Sequence, residues 1–151
     1  MLDCDCEPLF FDDIPKRLEE LKEWISWREE DENIVMSEDV KLIPFAQNGG
    51  GDLFCFLYEK NNVEPQIVLY YHDDYSGPRL EANSFEEFIY VILLESASWS
   101  EDIDNDYWRF HYQLLNDEYK RKIDGKTAEE LAEEYEIDHL RNLKDVDIWK
   151  K

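Results

Sequence analysis

His72-Asp73-Asp74 is the most chemically suggestive run in the chain. An imidazole beside carboxylates can act as a general base or form half of a metal site, since it titrates near neutral pH and its neutral nitrogen ligates metals. A hydrolase built on His72 with Asp73 or Asp74 would need a third group converging on the ring, and no Ser or Cys nucleophile is signposted to it. The same three residues close an apolar run, where polar side chains ordinarily shape a turn. They are therefore read as a strand end, and no catalytic residue is assigned. Cys4 and Cys6 form a C-x-C, but a structural zinc site needs four placed ligands and no second cysteine pair exists. Gly49-Gly50-Gly51 is followed by an apolar run of strand length instead of GK[ST] and a helix, so it is not a phosphate loop. No metal or cofactor is assigned. His111 and His139 lack spaced partners and are read as structural or exposed.

Charge is the second signal. The 151 residues carry 16 Lys and Arg against 38 Asp and Glu, a formal net charge of −22. Such a field repels nucleic acid and anionic membranes and speeds encounter with a basic protein partner. The excess lies toward the front: residues 1–98 hold 23 acids and 7 bases, residues 99–151 hold 15 and 9. Glu29-Glu30-Asp31-Glu32 with Asn33 reads as an acidic loop, without the glycine of a calcium loop. The odd cysteine count gives no disulfide framework and fits a reducing compartment. With no export signal and no apolar run approaching a membrane span, the expected location is cytoplasmic.

The elements that must position these groups follow from periodicity. Ile14-Pro15 after Asp12-Asp13 looks like a helix start. Ile14, Leu18, Leu21, Trp24, Ile25 and Trp27 keep helical spacing to about Arg28, with the tryptophans expected in the core. Lys41–Ala46 is a short strand that Pro44 demotes to an edge or a strand end. Asn48–Asp52 is a tight turn. Leu53–Tyr58 and Gln66–Tyr71 should pair as an antiparallel hairpin, and Arg79–Ala82 adds a fourth strand. Ser84-Phe85-Glu86-Glu87 is a capping box opening a helix expected to lie across the sheet. Beyond Ser96, one aromatic helix from Tyr107 to Ile123 ends at Gly125. Thr127-Ala128-Glu129-Glu130 caps another, and Ile137–Trp149 is read as a final helix. The expected fold is α+β: a small, mainly antiparallel sheet of about four strands flanked by helices, with an appended helical segment. The expected domains are 1–98 (core 42–94) and 99–151.

In order, IPFAQNGGGDLFCF, PQIVLYYHDD and NSFEEFI resemble the SUKH superfamily, the Smi/Knr cell-wall-regulator-like domain. The matching residues are Pro44, Phe45, Ala46, Gly50, Gly51, Asp52, His72, Asp73 and Ser84 through Phe88, and the resemblance covers about 42–94. Upstream, one helix and an acidic run stand where the family usually has a longer segment. The resemblance implies a non-enzymatic protein-binding module, most often a bacterial immunity protein that binds the C-terminal toxin domain of a polymorphic toxin, many of them nucleases. An acidic inhibitor can occupy a basic nucleic-acid cleft by mimicking phosphate charge. The expected partner-binding residues are Asp52, Asp73, Asp74, Tyr75, Glu29, Glu30, Asp31 and Glu32. A cell-wall or signalling scaffold is the alternative, and the hydrolase on His72 comes after it.

Overall fold

Alternation of side chains builds the sheet. The computed structural model describes residues 4–150. Strands β1 (Glu7–Pro8), β3 (Val40–Gln47), β4 (Leu53–Glu59), β5 (Gln66–Tyr70) and β6 (Arg79–Ala82) form one sheet in the order β1-β3-β4-β5-β6. β2 (Val35–Met36) and β7 (Trp149–Lys150) form a second, two-stranded one. In β4, Leu53, Cys55 and Leu57 point to one face and Phe54 and Phe56 to the other, as a period of two requires. The first set meets Leu42, Val68 and Tyr70 from the neighbouring strands, Leu21 and Ile25 from helix α1 (Ile14–Glu32), and Ile148 near the C-terminus. Burial of this apolar face holds α1 on the sheet.

The described residues divide into two compact units: residues 5–81 with 144–150, and residues 82–143 with residue 4. In the sheet unit, Leu80 N–H donates to the Lys144 carbonyl (2.9 Å) and Val146 N–H to the Pro78 carbonyl (2.8 Å), so the returning segment runs beside β6. The helical unit is built from α2 (Phe85–Trp99), α3 (Asp106–Gln113), α4 (Asp117–Ile123) and α5 (Ala128–Glu134). Within it, α2 packs on α5 and α3, burying Phe88, Val91, Ile92 and Leu93 from its own sequence. Ser84 Oγ accepts from Glu87 N–H at 3.1 Å, and Thr127 Oγ1 from Glu130 N–H at 3.2 Å, as their positions predict. The return bond of the first box goes elsewhere: Glu87 accepts from Asn83 N–H (3.2 Å), not from Ser84.

Several sequence expectations are corrected. Glu29–Glu32 is not a loop but the last turn of α1, which ends at Asn33 in the left-handed region (φ +52°). Pro44 does not put β3 at the edge of the sheet. β3 lies inside it, but β1 pairs only with Ala46 and Gln47, so no ladder bond is asked of Pro44, and a bulge falls between Pro44 and Ala46. Trp27 is 54% exposed instead of buried, whereas Trp24 does pack on the core. The aromatic helix breaks in two where Asn116 caps α4. Ile137–Trp149 is not a helix: a π-helical turn (Tyr135–His139) and a 3-10 turn (Leu140–Asn142) precede an extended segment ending in β7.

The glycine turn needs only one of its three glycines for backbone geometry. Gly51 takes φ +92°, while a Cβ on Gly50 would meet only ordinary contacts, the nearest being Asn48 Oδ1 at 3.5 Å. Gly51→Ala should lower stability by about 1 kcal/mol or more, and Gly50→Ala by less than about 0.5 kcal/mol. Urea unfolding of both variants checks this, and equal costs would contradict the assignment of strain to residue 51.

Candidate functional site

The glycine turn and the end of β5 are joined through one carboxylate. Asp52 Oδ1 accepts from the backbone N–H of His72 (3.1 Å) and lies 2.7 Å from the imidazole Nδ1. This contact turns Nε2 toward Asp73, 3.8 Å away. Asp52 is itself oriented by Asn48, whose amide donates to Oδ2 (3.1 Å) and whose Oδ1 accepts from Gly50 and Asp52 N–H. Trp24 of α1 lies against the imidazole, with ring centroids 5.7 Å apart. The ligand atoms of Asp52, His72 and Asp73 all lie within 4.8 Å of one another. With Nδ1 engaged by Asp52, however, only Nε2 and Asp73 face outward, fewer ligands than the three protein donors of a catalytic zinc site. The arrangement ties a loop to a strand end.

A second cluster forms where α1 ends. Arg28 is 8% exposed. Its Nε donates to Glu32 Oε2 (2.8 Å) and its Nη1 to the carbonyls of Ser76 and Gly77 (both 3.1 Å). The guanidinium sits 4.7 Å from the centroid of a Trp149 ring and 5.9 Å from that of Tyr75. Tyr75 in turn donates its hydroxyl to Asp31 Oδ2 at 2.5 Å, which pushes its own ionisation up. Glu29 accepts from Met36 N–H at 2.8 Å, fastening β2 to the helix. Asp74 Oδ1 accepts from Ser76 N–H and shapes the loop.

The sequence-predicted residues thus separate by task. Asp52, Glu29 and Glu32 are tied to neighbours, while Glu30, Asp31, Asp73, Asp74 and Tyr75 are exposed. Asp31 and Tyr75 are brought into direct contact across 44 positions of sequence. The sequence reading missed Arg28, which organises the loop, and the exposure of Trp27 one turn before Asp31. Arg28 carried a signal: it continues the apolar stripe of α1 from Leu21 and Ile25, at a position that faces the core.

Burial pushes the Cys55 thiol up, which makes it inert as a nucleophile. Burial also pushes the Tyr70 phenol up to about 12, and the Arg28 guanidinium nearby offsets only part of that effect. The Tyr70 hydroxyl is buried without a hydrogen-bond partner among the described residues.

Two outcomes follow. Arg28→Ala should destabilise the protein by about 2–4 kcal/mol, because the Ser76 and Gly77 carbonyls lose their donor. Its check is denaturant unfolding, and a cost below about 1 kcal/mol would show that water replaces the guanidinium. Tyr70 folds in its neutral form, so the raised phenol contributes stability that is complete below the unfolded value of about 10 and is lost as pH rises toward 12. Tyr70→Phe should therefore be as stable as the parent or more stable at pH 7, and should lose part of the decline between pH 10 and 12 in pH-dependent thermal unfolding.

Comparison with known proteins gives a single finding. No curated protein and no solved structure matches the chain. A family model does, over residues 6–89. That span begins well upstream of the motifs at 42–94, so α1 and its acidic end lie inside the family domain. With the ordered glycine turn, the hairpin and the capped start of α2 within a match of more than half its length, the chain belongs to SUKH_6, the SMI1-KNR4 cell-wall family.

Proposed function

We propose that the protein is a non-enzymatic binding module of the immunity type, which binds a basic toxin domain, nuclease-like in its charge, and blocks it. The observation that carries this reading is the last turn of α1. A helix C-terminus carries partial negative charge and favours Lys, Arg or His. Here it holds Glu29, Glu30, Asp31 and Glu32, with no basic residue in that turn. Violations of local preference concentrate at functional surfaces. Beside this turn, the Asp31–Tyr75 bond places the loop of Asp73 and Asp74, and Trp27 is exposed one turn earlier. Exposed carboxylates around Trp and Tyr match the composition of an interface whose aromatic residues anchor and whose charges steer. Asp52 contributes by holding His72 and the loop in place.

The engagement of His72 by Asp52 supports the non-enzymatic reading, because it gives the imidazole a positioning task. Among the described residues, no helix is long and apolar enough to cross a membrane. The location proposed for the complex is the cytoplasm, in keeping with an odd number of cysteines that gives no disulfide framework. The family description, with its reference to the cell wall, favours a regulatory scaffold as the second reading.

The test is co-expression with the C-terminal domain of a toxin encoded beside this chain, scored by growth rescue and copurification. Association should slow at least tenfold between about 20 mM and 500 mM salt, since steering is screened over the Debye length. Asp73→Lys with Asp74→Lys should lower the association rate about tenfold at low salt and change dissociation far less. Failure to rescue growth, or a rate indifferent to salt and to charge reversal, would rule the acidic-mimic reading out for that partner.

A further inference from the structure

The helical unit carries a groove that the reading above does not use. It has a volume of about 860 Å³ and lies among the end of α2, the outer face of α5 and the π-helical turn that follows. Its apolar surface comes from Trp99, Tyr135 and Leu140, and Trp99 is 60% exposed. Its charged groups are Glu129, Glu133 and Glu136; Glu136 accepts from Arg141 Nη2 at 3.2 Å at the rim, and among the described residues no Lys or Arg lines the groove itself. An open groove with an indole in it and carboxylates of one sign along it is an unusual surface to leave to water.

We propose that this groove docks a basic amphipathic helix of a protein partner. Glu129 and Glu133 stand four residues apart on α5, a rise of about 6 Å. A facing helix repeats Lys or Arg at the same interval and turns apolar residues toward Trp99 and Leu140, which is the helix-in-groove mode of recognition. The winding also changes here, from α in Ala128–Glu134 to π in Tyr135–His139, and such wide turns are enriched at functional sites. A nucleic acid is excluded by the carboxylates. A second copy of the chain is disfavoured, since its most basic helix, α4, already has Lys120 over Tyr112 (5.5 Å) and Lys122 over Tyr119 (5.3 Å). The docking does not rest on the immunity reading, whose residues belong to the other unit.

The test is fluorescence anisotropy of the full chain with a labelled leucine–lysine model helix, run beside its leucine–glutamate counterpart. The lysine helix binds and the glutamate helix does not. Glu129→Lys, Glu133→Lys and Glu136→Lys combined weaken binding at least tenfold. A charge-matched control, Glu30→Lys with Asp31→Lys and Asp73→Lys, weakens it less than twofold. Trp99→Ala with Leu140→Ala weakens it at least fivefold and leaves the salt dependence unchanged; the exposure of all five groove residues at the surface keeps these variants folded, as circular dichroism verifies. Equal losses in the two lysine triples would reduce the effect to bulk charge and overturn the proposal. So would absence of binding by the lysine helix, or self-association in sedimentation that the Glu129, Glu133 and Glu136 reversals abolish.

Discussion

One buried guanidinium sets the geometry of the sheet unit. Arg28 is fixed by the apolar stripe of α1, so its donors arrive from a known direction, and the backbone carbonyls of Ser76 and Gly77 must come to meet them. That requirement places the loop after β5 beside the end of the helix. It also gives the C-terminal strand a partner, because the flat cation stacks under Trp149 while β7 pairs with β2. A buried charge tolerates few arrangements: every alternative leaves it without its acceptors in a medium of low dielectric. The acidic surface is therefore placed by a residue that contributes no acidity to it.

Around this node, acidic side chains do two different jobs. Glu29, Glu32 and Asp52 are each paired with a donor and hold elements in register, whereas Glu30, Asp73 and Asp74 lie on the exposed side. A net charge of −22 would by itself say only that the chain repels anions. The structure separates the carboxylates that build from those left exposed, and it does so again in the helical unit, where Glu134 pairs with Lys126 and Glu136 with Arg141 while Glu129 and Glu133 face the groove.

Much of this was legible in the residues. The glycine turn, the hairpin, β6 and both capped helices follow from alternation and turn chemistry, which are local and strong. The misreadings have physical causes. Four acids at a helix C-terminus oppose the helix dipole, so the run looked like a loop, although Asn33 is a sound C-cap. Pro44 looked like an edge residue because its missing donor matters only where a neighbouring strand reaches it, and the length of β1 is a tertiary fact. The Asp31–Tyr75 and Asp52–His72 contacts join residues 44 and 20 positions apart, beyond any local pattern. Trp27 lies on the flank of the stripe, where periodicity alone does not decide burial.

The segment that runs back beside β6 has a further meaning. Residues 144–150 belong to the sheet unit, so residues 82–143 form an insertion whose two ends are held side by side by the Leu80–Lys144 and Val146–Pro78 bonds. During synthesis, the sheet unit waits for the insertion to be translated before Ile148 can enter its core and Trp149 can cover Arg28. Variation inside the insertion, in contrast, leaves the ends where they are. An architecture of this kind lets the helical part beyond residue 89, where the family match ends, diverge in sequence and length at little cost to the sheet.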